Sequence, residues 1–159
     1  MKLGECPEFR DLIETLGGKE MRKIDEIIVH CSDSNWGSAL VIDSWHRQRG
    51  WKGCGYHFII GNGETSPQAS GYLTCMDGHI EAGRPISQPG AHCRGHNKRS
   101  IGICLIGKDS FTEAQFKSLI MLVSELRSEF GDIPVRPHSR YANKTCPSFN
   151  VADVLAWRF

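Results

Sequence analysis

The chain has no C-x-x-C pair, no H-E-x-x-H run and no apolar stretch that approaches a membrane span. The first absence argues against a closed structural zinc site, which normally pairs its cysteines tightly. The second excludes thermolysin-type chemistry, in which a helical Glu between two ligands serves as base. The third, judged against the ~18 apolar residues a span requires, predicts no insertion into a membrane. The N-terminus, Met1-Lys2-Leu3-Gly4-Glu5-Cys6, lacks an apolar core after its basic start, so no signal peptide is expected. Charge of one sign is also missing. A formal net charge of +1 gives no electrostatic reason for a polyanionic partner, and nucleic acid is not expected. No internal repeat or linker divides the chain.

What is present fits one soluble domain. The 159 residues are 40% hydrophobic and 23% charged, enough for a proper core but not for two ordinary domains. Seven cysteines, at positions 6, 31, 54, 75, 93, 104 and 146, would suggest disulfides with one thiol left over in a secreted protein. Without a signal peptide they read instead as mostly small buried residues of a chain made in a reducing cytoplasm.

Apolar periodicity lays out alternating helices and strands. Phe9, Leu12, Ile13 and Leu16 predict a short helix over 7–16 that Gly17-Gly18 ends. Residues 24–30 and 55–60 read as strands, with 39–49 as a helix between them. Residues 61–77, rich in Gly, Ser, Pro and Thr, read as a loop insertion before a short strand at 79–81. The run 100–107 is apolar on both faces, as a central buried strand should be. The strongest helix is 113–130. Thr112 and Gln115 make a capping box, Phe111 and Phe116 a staple, and Gly131 a stop. Its predicted core stripe is Phe116, Leu119, Ile120, Val123, Leu126 and Phe130. A strand near 134–136 and a last helix capped by Asn150 complete the pattern.

Chemistry concentrates in His30, which ends the apolar run Ile27-Ile28-Val29, and in the segment His138 to Phe149, which carries His138, Lys144 and Cys146. Two imidazoles and one thiolate form a three-ligand zinc set, and catalytic zinc keeps its fourth position open. Each residue also has a plainer reading. His30 could be a hydrogen-bonded core histidine, Cys146 an inert buried thiol, and Lys144 a solvated loop charge. Cys146 with His138 could also serve a cysteine hydrolase. Trp36, Trp45 and Trp51 could be core or glycan-stacking groups.

The chain resembles the type 2 zinc-dependent N-acetylmuramoyl-L-alanine amidases, specifically their T7-lysozyme-like endolysin branch, whose fold peptidoglycan recognition proteins share. Seven stretches carry the likeness. They are His30-Cys31-Ser32, Trp45-His46 through Gly50-Trp51, Gly55 to Ile60, Glu81-Ala82-Gly83-Arg84, Gly90-Ala91-His92, Asn97 to Gly107, and His138 through Phe149. The resemblance implies a single α/β domain with a central mixed sheet of about five strands, helices around it, and a zinc cleft on one face. Residues 24–159 would be the catalytic domain and 1–23 a helical extension.

Carried over residue by residue, the resemblance places one Zn2+ on His30, His138 and Cys146, and makes Tyr56 and Lys144 catalytic. His92 becomes a candidate substrate contact. His57, on the opposite strand face from Tyr56, reads as structural, and His46, His79 and His96 as surface residues. The implied substrate is bacterial peptidoglycan, cut between N-acetylmuramic acid and L-alanine, with no cell-wall-binding module to assist. A phage or prophage lysis enzyme fits best: made in the host cytoplasm, released through a holin, and acting as a monomer. The same likeness leaves two further classes open, a non-cutting peptidoglycan binder and a regulator of a phage RNA polymerase. The retained Cys146 counts against the binder.

Overall fold

The computed structural model describes residues 21–68 and 71–157. The helix expected over 7–16, and with it most of the proposed 1–23 extension, lies outside them. The strands are β1 (Glu26–Cys31), β2 (Phe58–Glu64), β3 (Tyr72–Ala82), β4 (Ser100–Leu105) and β5 (Val135–Pro137). The helices are α1 (Ala39–Gln48), α2 (Glu113–Phe130) and α3 (Val151–Leu155). One five-stranded sheet runs in the order β3-β2-β4-β1-β5. β4 is parallel to both β1 and β2, β5 is parallel to β1, and only β3 runs antiparallel. The sheet is therefore mixed, and its central strand β4 is buried at every residue.

Period-two alternation sends the two halves of each strand to different layers. Ile27 and Val29 of β1, Phe58 and Ile60 of β2, and Ile101, Ile103 and Leu105 of β4 pack with Leu119, Leu122, Val123 and Leu126 of α2 and Val151 and Val154 of α3. Burying each such side chain contributes roughly 1.5–3 kcal/mol. The opposite face holds a smaller cluster, Ile42, Cys54, Ile59, Cys104 and Ile106, against which Trp45 and Tyr56 pack.

α2 starts where its sequence says it should. Thr112 accepts the Gln115 N–H at 3.0 Å and Gln115 Oε1 accepts the Thr112 N–H at 3.0 Å, closing the capping box. The Gln115 amide goes further than a cap. Wholly buried, its Nε2 donates to the Ile60 and Ile106 carbonyls, which ties α2 to β2 and to the end of β4. Asn150 caps α3 by accepting the Ala152 and Asp153 N–H groups.

The segment expected as a loop over 61–77 is instead the distal part of a β-hairpin. β2 continues to Glu64 and β3 begins at Tyr72, with register shifts between Ile60 and Asn62 and between Asn62 and Glu64. Gly63 sits at φ +86°, and the Tyr72 ring occupies the place where a Cβ at Gly63 would stand. Glycines at these bulges erase the alternation that would have marked a strand. α1 runs as expected, capped by Ser38, whose hydroxyl accepts the Val41 N–H at 3.2 Å.

Candidate active site and metal centre

β1 and β5 lie side by side and parallel, with Val29 opposite Pro137. The residues that follow in each strand, His30 and His138, are thereby neighbours, their ring centroids 4.4 Å apart. The chain then turns through a short 3-10 segment, His138–Arg140, and returns to bring Cys146 to the same point. Ser139 N–H donates to the Cys146 carbonyl at 2.7 Å, which fastens the two ends of this loop together. One ligand atom from each of His30, His138 and Cys146 lies within 4.8 Å of the other two. Among the described residues this is the only group of His, Cys, Asp or Glu so placed.

The electrostatics keep both imidazoles uncharged, each with a nitrogen free to bind a cation. Burial drives the His30 pKa well below the usual imidazole value, and the nearby rings of His92 and His138 push it further. His138 is lowered too, first by burial and then by the Lys144 ammonium. The Cys31 and Cys146 thiols share a hydrogen bond that pulls Cys31 down and pushes Cys146 up. Such a pair gives up one proton readily and a second with difficulty. The Cys31 backbone N–H donates to Cys146 Sγ at 3.4 Å, a contact that favours a thiolate there.

Tyr56 stands just before β2, with its ring centroid 5.0 Å from that of His30. Burial raises its phenol pKa well above 10, so it remains an O–H donor. Its hydroxyl meets the buried Cys104 thiol on β4. Lys144 is exposed on the ligand loop, close enough to His138 for its charge to be felt. A recess of about 50 Å³ opens beside Tyr56, lined by Ser32, Ile42, Trp45, His46, Arg49 and Tyr56. Trp45 stacks edge-on against Trp36 at 5.2 Å and packs on the Ile42 cluster, whereas Trp51 is 42% exposed at the rim beside His46.

The other histidines divide differently from expectation. His57 holds backbone groups in place: Nδ1 accepts the Gly102 N–H at 2.9 Å and Nε2 lies 3.0 Å from the Gln88 carbonyl. It does not lie on the opposite face from Tyr56 as expected, because both precede β2, and the two rings lie 5.7 and 6.3 Å from that of His92. His46 is buried, not on the surface. Its Nδ1 accepts the Gly55 N–H at 2.9 Å and so fixes the turn that presents Tyr56. His96 is half-buried rather than exposed, hydrogen-bonded to Glu26 at 2.8 Å and stacked on Tyr141 at 3.8 Å. Tyr141 also donates to Glu26 at 2.5 Å, so this cluster anchors the loop that carries His138 and Cys146 to the start of β1. His79 is partly buried on the edge strand β3. His92 turns toward His30, its Nδ1 2.9 Å from His30 Nε2, and its Nε2 lies 3.3 Å from Ser100 Oγ. Both ring nitrogens face protein groups, which does not favour the expected role as a substrate contact through the ring.

A family model for N-acetylmuramoyl-L-alanine amidase matches residues 20–149. The chain belongs to the N-acetylmuramoyl-L-alanine amidase family. The endolysin of Escherichia phage T7 is 35% identical over 150 residues, covering 87% of this chain and 88% of that protein. The endolysin of Klebsiella phage KP32 is 33% identical over 147 residues, covering 86% of each. Among solved structures, the N-acetylmuramoyl-L-alanine amidase LysC from Clostridium intestinale URNW superposes with a TM-score of 0.72 at 29% identity, covering 85% of each chain. The amidase fold and the amidase activity expected from the sequence both hold. For this amidase, three side chains drawn together from the two ends of the domain are able to hold a metal ion.

Proposed function

We propose that this amidase is an endolysin that cuts the amide between N-acetylmuramic acid and L-alanine in peptidoglycan with one zinc ion held by His30, His138 and Cys146. The convergence of three donor atoms within 4.8 Å carries the reading. Tetrahedral zinc with bonds of about 2.0–2.3 Å sets its donors roughly 3.4–3.7 Å apart, a modest contraction of this spacing. The donors suit zinc chemically, being two neutral imidazoles and a thiol, Cys146, that gives up its proton when it binds a metal. When bound, zinc supplies hydroxide near neutral pH and polarises the amide carbonyl.

The chain's own groups do the rest. The Lys144 ammonium offsets the negative charge that develops on the carbonyl oxygen as water adds to the carbon. The neutral Tyr56 hydroxyl orients the attacking water and passes a proton toward the alanine nitrogen as the C–N bond breaks. The recess of about 50 Å³ beside Tyr56, walled by Trp45 and His46, has room for water rather than for a sugar or a peptide. The enzyme is made in the host cytoplasm, crosses the membrane through a holin and works as a monomer. Among the described residues no helix is long and apolar enough to cross a membrane.

The test is cleavage of purified peptidoglycan by zinc-loaded protein, read as new N-terminal alanine groups. Chelation should stop cleavage and added zinc restore it. Activity that survives chelation but is lost on thiol alkylation would replace this reading with a cysteine hydrolase using Cys146 and His138.

A further inference from the structure

The contact between His30 and His92 opens a hydrogen-bonded chain that ends on a fixed backbone acceptor. Ser100, at the start of β4, is wholly buried, and its hydroxyl donates to the His96 carbonyl at 2.8 Å. A hydroxyl has one hydrogen, so toward His92 this oxygen can only accept. His92 Nε2, 3.3 Å away, must therefore carry a proton. An imidazole with its one proton on Nε2 has a bare Nδ1. That Nδ1 sits 2.9 Å from His30 Nε2 and can only accept from it. His30 then holds its proton on Nε2 and leaves Nδ1 bare, and Nδ1 is the atom that faces Cys146 Sγ at 3.9 Å.

The His92 ring has little freedom to do otherwise. Its backbone N–H and that of Cys93 both donate to Asn97 Oδ1, at 2.8 and 2.9 Å. Gly102 and Gly90 flank it, and a Cβ at either would come within 2.6 Å of the ring. It meets the His30 ring edge-on, at 88° and 4.9 Å between centroids.

We propose that His92 and Ser100 are positioning residues that set the His30 tautomer, presenting Nδ1 to the metal through the chain His30 Nε2–H to His92 Nδ1 and His92 Nε2–H to Ser100 Oγ. This rests on the zinc reading above for its purpose, though not for its geometry. Groups that accept from the far nitrogen of a ligating histidine fix its orientation, and their loss typically costs about 10–100-fold in metal affinity. His92→Phe keeps the ring shape but removes both nitrogens. His92→Asn returns an acceptor near the position of Nδ1, and Ser100→Ala removes only the far anchor.

The tautomers are read in metal-free protein by long-range ¹H–¹⁵N correlation of the imidazoles, and zinc affinity by competition with a chromophoric chelator. Wild type should show His30 and His92 each protonated on Nε2. His92→Phe should mix the His30 tautomers and weaken zinc about 10–100-fold. His92→Asn should recover most of that loss, and Ser100→Ala should weaken zinc by a few-fold only. A His30 protonated on Nδ1 in the wild type, or a His92→Phe variant that binds zinc as tightly as wild type, overturns the proposal. Should His92→Phe fail to fold, the Asn and Ala variants decide by the same two readings. A wild type that binds no zinc defeats the metal reading instead, and the tautomers alone then decide whether this chain orders His30.

Discussion

The two faces of the sheet are built from the same five strands and do opposite work. The face under α2 and α3 is mainly apolar, packed with isoleucine, valine, leucine and phenylalanine, and among the described residues Gln115 is its one deep polar side chain. The face under α1 keeps a small apolar cluster and otherwise collects His30, His46, Tyr56, His57, His92 and Cys104, each with a named partner. Burying polar groups costs free energy unless every one is satisfied. Among the described residues no buried side-chain nitrogen or oxygen lacks a hydrogen bond. One face supplies stability so that the other can hold imidazoles and thiols in place for chemistry.

Substitutions should separate the two faces. The largest effect falls on the reactive side: Lys144→Ala should lower kcat about 10²–10³-fold, as loss of an electrostatic donor does. Because Lys144 is exposed, its melting temperature should stay within about 2 °C of wild type. Steady-state kinetics on soluble muropeptide and a thermal melt check the pair. On the other face, Leu119→Ala should cost about 2–5 kcal/mol in stability through the cavity it leaves in a wholly buried position. Zinc affinity of the folded variant should not change, and urea denaturation followed by metal titration would show either outcome.

A smaller difference should appear with pH. Burial lowers the His57 pKa to about 3, and His30 and His92 shift the same way. The unfolded chain takes up these protons near pH 6.5 while the folded one does not. Stability is therefore fully present above that value and falls as pH drops from 6.5 toward 3, by about 1.4 kcal/mol per unit for each such imidazole. Denaturation midpoints of metal-free protein between pH 7 and 5 should fall, and a flat profile would contradict the burial of these rings. The smallest effect belongs to the cap of α2. Thr112→Ala should cost about 1 kcal/mol, detectable in the melt and silent in kcat.

Much of this arrangement was legible in the chain because its signals are local. The Thr112–Gln115 box and the Asn150 cap depend on spacing within one turn and both are present; of the α2 stripe Leu119, Val123 and Leu126 are buried, and Phe116, Ile120 and Phe130 partly so. Leu122 escaped the predicted stripe, although it is buried in the same core cluster as strand residues and Val151 and Val154 of α3. The β2–β3 hairpin was hidden because glycine bulges break the period of two just where the strand continues. The contents of the site divide the same way. His30, His138 and Cys146 stood out as a donor set, whereas the burial of His46 and the alignment of His92 with His30 depend on partners far away in sequence. No local pattern marks a histidine as satisfied by a distant backbone N–H or by another ring.

The central claim is that one three-residue metal site performs the cleavage while the fold stands without it. The most direct measurement compares wild type with Cys146→Ser, taking zinc per chain, release of N-terminal alanine and melting temperature of the metal-free proteins on the same samples. The account predicts one zinc per chain and cleavage in the wild type, with both lost in the variant and the metal-free melts agreeing. A Cys146→Ser enzyme that releases alanine at the wild-type rate would contradict it.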